Sequence, residues 1–217
     1  MKNNVNFIAV VIFVVATFSL FASQSLSAIT FVKGTHYKEL TTPINSDNLN
    51  KEVREFFSFY CPGCYRIEPI ITALKAELPA EIPFIKNHID GMPGRDLVIE
   101  QGLSRAILTA KLLKLEDQVS AAIFNYIHVN KATFNTNKDI KNIFLLLGVD
   151  GQRFDKVFNS FSVKTGVNKM NKATEVLRQQ GITSVPTAIV NGKYKVETGA
   201  LESQQQYIEL VLYLLTL

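Results

Sequence analysis

The stretch E-F-F-S-F-Y-C-P-G-C-Y runs from Glu55 to Tyr65 and carries the only two cysteines of the chain, Cys61 and Cys64. Two hydrophobic periods meet in it. Val53 to Tyr60 is rich in aromatic residues, as a buried strand is, and it stops at Cys61-Pro62. From Cys64 the apolar positions Ile67, Ile70, Ile71, Leu74 and Leu78 recur at three and four, the period of a helix, which Pro79 ends. A strand therefore delivers Cys61 to the start of a helix, with Pro62 in the first turn, where its missing N–H costs nothing.

Working outward, Pro83 to Ile89 reads as the next strand, closed by G-M-P-G. Strand, helix and strand in that order form a βαβ unit with parallel strands. Upstream, H-Y-K-E-L from His36 reads as a short edge strand. From Arg95 to Gln180 the chain has no proline and one amphipathic stripe after another. The stripes are Ile99, Leu103, Ala106, Ile107 and Ala110; Val119, Ala122, Ile123, Tyr126 and Ile127; Ile140, Ile143, Phe144 and Leu147; Phe154, Val157, Phe158 and Phe161; and Met170, Ala173, Val176 and Leu177. Strand character returns after Gly181. Thr187 to Val190, the turn Asn191-Gly192 and Tyr194 to Thr198 predict a hairpin, and Ser203 to Leu217 a final helix. The order is that of a thioredoxin fold, an α/β architecture, interrupted by a large all-helical insertion. The division this predicts is a leader over 1–28, a first thioredoxin-like part over 29–92, the insertion over 93–180 and a second part over 181–217.

Three chemistries suit a C-x-x-C pair. As a staple it would close a loop of two residues, and the stabilisation shrinks with loop length. As a metal site it needs about four ligands, but there is no second cysteine pair, and His36, His88 and His128 are scattered. As a redox pair it has what it needs: free N–H groups and the positive end of the helix dipole stabilise a thiolate on Cys61. The residues favour the redox reading, in which neither a cofactor nor a metal is required.

Lys2 is the only charge before residue 29, and Phe7 to Ala22 is an uncharged apolar run followed by S-Q-S-L-S-A. Positive start, apolar core and small residues are the parts of a cleaved secretory signal, and the apolar run is shorter than the roughly 20 residues of a membrane span. Such a leader places the folded part outside the cytoplasm, where thiols can oxidise. The net charge of +4 is small, and no basic run is interleaved with aromatics, so the composition argues against a nucleic-acid partner.

The chain resembles the DsbA family of periplasmic thiol:disulfide oxidoreductases, through E-F-F-S-F-Y-C-P-G-C-Y, the V-D-G-Q-R-F-D region with N-S-F-x-V-K after it, and G-I-T-S-V-P-T-A-I-V-N-G-K-Y. The resemblance spans residues 29–217. It implies that a Cys61–Cys64 disulfide is donated to reduced or unfolded exported proteins, and that a quinone-linked membrane oxidase restores it. It implies a cis Val185-Pro186 loop that faces the disulfide and offers backbone groups to substrate. It places Glu55 and Lys86 beneath the buried cysteine as a proton relay, and Glu68 on the active-site helix as a further member. It also implies a monomer. The best-known members carry histidine where this chain has Gly63, so the Pro62-Gly63 dipeptide predicts a weaker oxidant. A reductase or isomerase of the same compartment would add a dimerisation domain, for which no segment is left over. A secreted binding module that keeps the cysteines as a relic is the non-enzymatic alternative.

Overall fold

The computed structural model describes residues 30–44 and 51–217; the leader expected over 1–28 lies outside them. Five strands form one mixed sheet: β1 (Tyr37–Glu39), β2 (Val53–Phe57), β3 (Phe84–His88), β4 (Thr187–Val190) and β5 (Tyr194–Val196), in the order β1-β5-β4-β2-β3. β2 runs parallel to β3 and antiparallel to β4. The connection between β2 and β3 contains α1 (Pro62–Glu77), as the βαβ reading requires. β4 and β5 turn at Asn191 and Gly192, whose φ values of 53° and 65° suit the short hairpin loop that asparagine and glycine tolerate.

β2 is buried at all five positions because it is covered on both faces. Side chains alternate between the faces of a strand. Val53 joins Leu74 of α1 and Leu210, Val211 and Leu214 of the C-terminal helix in one apolar cluster. Phe56 points the other way, to Ala173 and Leu177. Glu55 shares a face with Val53 and Phe57. Arg54, on the opposite face, is satisfied in the interior by Glu52 at 2.9 Å and Asn87 at 3.2 Å.

Between β3 and β4 lie α2 (Leu97–Leu112), α3 (Glu116–Phe124), α4 (Asn137–Leu146), α5 (Gly151–Phe158) and α6 (Phe161–Gln179); α7 (Gln204–Leu214) closes the chain. Side-chain caps mark the starts. Asp96 accepts from the N–H groups of Val98 and Ile99, Asp150 from Arg153 and Ser160 from Val163. The helical block does not stand apart. Leu103 and Ile107 of α2 and Ile123 and Phe124 of α3 share one apolar cluster with Phe57, Phe59, Cys61 and Cys64. The helices therefore cap the end of the sheet at which the cysteines sit.

Three elements depart from the sequence reading. The β2 strand stops at Phe57, because Ser58 folds the next residues into a turn: its hydroxyl accepts from Tyr60 N at 3.2 Å and its carbonyl from Cys61 N at 3.1 Å. The second stripe is not one regular helix. After Phe124 it widens into a π-helical turn, Asn125–Val129. Phe161 does not extend the stripe of Phe154 and Phe158. Ser160 starts a new helix, and Phe161 is 82% exposed at its first position.

Candidate redox site

Cys61 is the N-cap residue of α1. Its backbone is extended (φ −84°, ψ 114°), and its sulfur accepts the Cys64 N–H at 3.2 Å. The sulfur thus occupies the place a serine or aspartate oxygen takes at other helix starts. It meets the unpaired N–H groups and the positive pole of the helix. Both cysteines are thiols, and the Cys61 Sγ–H donates to the Val185 carbonyl at 3.5 Å. Cys61 keeps 8% exposure, whereas Cys64 keeps none. The hydrogen bond from Cys64 holds the Cys61 thiol down to about 6, from an ordinary 9.0, against the opposing effect of burial; the backbone N–H groups of Cys64 and Gly63 and the charge of Arg66 act in the same direction. Cys64 moves the other way, raised by its hydrogen bond to Cys61 and by burial. One sulfur is prepared to be an anion and the other to keep its proton.

The Val185–Pro186 bond is cis. Its loop approaches the start of α1 so closely that a Cβ built on Gly63 would stand 3.4 Å from Pro186 Cδ. The structure therefore brings Pro62, Gly63, Val185 and Pro186 around the Cys61 sulfur.

Beneath the pair, the parallel register sets Glu55 opposite Lys86. Lys86 Nζ donates to Glu55 Oε2 at 2.9 Å and to Glu68 Oε1 at 2.7 Å. The side chains of Lys86 and Glu55 are 2% and 1% exposed, and that of Glu68 24%. Lys86 also lies 4.5 Å from the Phe57 ring centroid. Burial raises the Glu55 carboxyl above its usual range, and Lys86 only partly opposes it. Burial pulls the Lys86 ammonium down, but Glu55 and Glu68 outweigh it and hold it above its usual value. Glu55 Oε1 has no protein partner, and Glu55 lines a small cavity of about 190 Å³ together with Ser184, Pro186, Thr187 and Tyr207. The three sequence-predicted charges thus form one cluster, in which Glu55 and Lys86 are buried and Glu68 closes it at the partly exposed edge.

Sequence reasoning missed several neighbours. His128, on the π-helical turn, bonds through Nε2 to the Phe59 carbonyl at 2.8 Å and stacks on Tyr65 at 5.0 Å. His88 is fully buried and held at about 3 by loss of water, with Nδ1 2.8 Å from the Ser104 hydroxyl. Arg95 lies over the Tyr60 ring at 4.4 Å. Each contact joins segments that local pattern cannot bring together. Arg66, by contrast, sits one helical turn beyond Gly63, and that spacing could have pointed to it.

A thioredoxin-like sheet, a C-x-x-C pair at a helix start and a cis-proline loop against it define a site for dithiol–disulfide exchange. The comparisons are narrower. Residues 52–209 match the model of the DSBA-like thioredoxin domain, and the chain belongs to that family. It is 32% identical over 203 residues to the thiol:disulfide interchange protein DsbA of Yersinia pestis, covering 88% of this chain and 92% of that one. It is 33% identical over 199 residues to the protein of the same name from an Escherichia coli O6:H1 strain, with 88% and 91% covered. Among solved structures, Pseudomonas aeruginosa DsbA superposes with a TM-score of 0.68 at 30% identity, over 86% of this chain and 93% of that chain. Proteus mirabilis DsbA in complex with the non-covalently bound peptide PWATCDS superposes with a TM-score of 0.74 at 26% identity, over 87% and 100%.

Proposed function

We propose that the protein is an exported oxidase of protein thiols, and that its disulfide form joins Cys61 to Cys64. The observation that carries this reading is the opposite treatment of the two sulfurs: Cys61 is held at about 6 at the helix N-cap, while Cys64 is buried and raised. A substrate thiolate attacks Cys61 Sγ. The Cys61–Cys64 bond breaks, and its electron pair passes to Cys64, which takes up a proton. The mixed disulfide then joins Cys61 to substrate. A second substrate thiolate attacks the substrate sulfur, and Cys61 leaves as a thiolate. Two electrons have moved from substrate to protein, and the substrate holds a disulfide. A low-pKa thiolate is the better leaving group and stabilises the reduced protein, which drives oxidation of the substrate.

Glu55, with Lys86 and Glu68, supplies the proton to Cys64 in this scheme; its raised carboxyl and its place beneath α1 support that role. Val185 and Pro186 present backbone to an extended substrate as a short strand addition. Residues 1–28 act as the cleaved export signal, the 93–180 block caps the site, and the two flanking parts form the thioredoxin core. The family works in the periplasm, which suits the redox chemistry. Its substrates there are reduced or unfolded exported proteins, the monomer is the working form, and a quinone-linked membrane oxidase resets the pair.

Mixing the oxidised protein with a reduced, unfolded protein tests the direction. One substrate disulfide should form for each Cys61–Cys64 disulfide lost, with turnover once oxidised glutathione is supplied. Net reduction of substrate disulfides, or reshuffling without net oxidation, would overturn the reading in favour of a reductase or isomerase. No exchange at all would favour the binding module.

A further inference from the structure

We propose that Arg66 is the cation that stabilises the Cys61 thiolate, reaching it across the space that Gly63 leaves empty. The inference deepens the exchange reading and rests on it for its functional meaning. A Cβ built on Gly63 would stand 3.6 Å from Cys61 Sγ and 3.9 Å from Arg66 Nη2. Sulfur and guanidinium therefore border the same small volume from two sides. Helix geometry explains why. Residues 63 and 66 are one turn apart on one face, and helical side chains lean toward the N-terminus. A long side chain at 66 is thus carried back over position 63, and glycine there offers nothing to block it.

The surrounding charges leave Arg66 uncompensated. Glu68, two residues on, is engaged by Lys86 at 2.7 Å. Asp117, which lines the same groove as Arg66, is paired with Lys75. Among the described residues Arg66 itself forms no ion pair. Other charged or titratable groups near the pair are turned elsewhere. Arg95 stacks on Tyr60, His128 bonds to the Phe59 carbonyl, and Glu55 lies beneath, where its charge acts on Cys64. Arg66 is also the charged side chain that lowers the Cys61 thiol, behind the hydrogen-bond contributions. Because Arg66 is exposed, its field passes partly through solvent and must be sensitive to salt. The helix dipole and the N–H groups are fixed in the backbone and stay. Arg66 is a positioning charge rather than a reacting group: it favours the thiolate that leaves when product is released.

The test is a titration of the reduced protein, read by the ultraviolet absorbance of the thiolate, for the wild type, Arg66→Gln and Arg66→Lys. In low salt Arg66→Gln should raise the Cys61 pKa by about half a unit, about a threefold fall in the thiolate-to-thiol ratio. Arg66→Lys should recover most of the shift. Salt at about 1 M, where the screening length is about 3 Å, should raise the wild-type value more than that of Arg66→Gln, in which only the helix dipole remains to be screened. Gly63→His should lower the pKa more in the Arg66→Gln background than in the wild type, because both cations compete for one sulfur. Equal pKa and equal salt response in wild type and Arg66→Gln would overturn the proposal, and strict additivity with Gly63→His would refute the shared space. The absorbance does not depend on turnover. A salt-sensitive thiolate in a protein that fails to exchange with glutathione would refute the oxidase reading while leaving the role of Arg66 standing.

Discussion

Cys61 and Cys64 are three residues apart, yet their surroundings differ in kind. Around Cys61 the structure supplies backbone N–H groups, the end of a helix dipole and a nearby guanidinium, with a little solvent access. Around Cys64 it supplies apolar packing against the helical block and, below, a cluster of two carboxylates and one ammonium. In the upper region the Cys61 pKa is lowered first by the hydrogen bond from Cys64 and then by backbone N–H groups and a guanidinium that do not titrate at ordinary pH. The lower region raises pKa values by withholding water, and it holds groups that can pass protons. A disulfide between the two is polarised by this difference. Attack at the upper sulfur yields a stable anion at the end of the cycle, and release of the lower one is matched by a proton.

Exchange itself gives the largest effect with which to break that comparison. Cys61→Ser should abolish oxidation of a reduced unfolded protein altogether. Cys64→Ser should keep an attacking thiolate but lose the sulfur that resolves the mixed disulfide, so substrate complexes accumulate on non-reducing gels. Complexes trapped by Cys61→Ser instead would exchange the roles of the two regions.

The lower region can be probed through stability. Lys86 compensates Glu55, which is almost without water, and Glu68, which is 24% exposed. Lys86→Met should therefore cost about 3–5 kcal/mol, because it strands a buried charge rather than removing one. Glu55→Gln should cost less, because Lys86 keeps Glu68. Urea unfolding at neutral pH measures both. A Lys86→Met protein within about 1 kcal/mol of wild type would mean that the cluster is hydrated and behaves as a surface ion pair.

How much of this was legible in the sequence follows from the same contrast. The upper region is built from consecutive residues, so Cys61, Pro62 and the helix after them could be read from a change of period and one proline. The β2–α1–β3 order also placed Glu55 and Lys86 on neighbouring strands. Their direct pairing, however, depends on register, and spacing alone leaves that free by a residue or two. Glu68 came from the family resemblance alone, because helical position does not reveal that a lysine rises from the sheet beneath it. His128 against Phe59 and His88 against Ser104 depend on how the helical block docks, which amphipathic stripes do not specify. Phe161 misled the reading for the opposite reason. A large apolar side chain suggested burial, but the cap at Ser160 set the helix phase, and the ring stands in solvent.

The smallest effect is the most specific, since it separates the two sulfurs in one measurement. The stability of the dithiol form should depend on pH in a way that the disulfide form does not share. Cys61 is held at about 6 in the folded protein, whereas in the unfolded chain it returns to the ordinary 9.0. Between those values the folded state has lost a proton that the unfolded state still binds, so stability rises with pH. It is gained in full only above the unfolded value and is lost as pH falls through about 6. Cys64 acts in the opposite sense, because its folded value is raised. Its contribution is complete below the unfolded value and declines above it, so the gain should level off and reverse beyond about pH 9. The slope for one proton cannot exceed about 1.4 kcal/mol per pH unit. Glu55 and His88 titrate in both redox forms and largely cancel in the difference. Urea unfolding of the reduced and oxidised protein across pH 5.5 to 8.5 should therefore give a stability gap that widens with pH in favour of the reduced form. A gap that stays constant over that range would mean that Cys61 is an ordinary thiol, and the contrast between the two sulfurs would be lost with it.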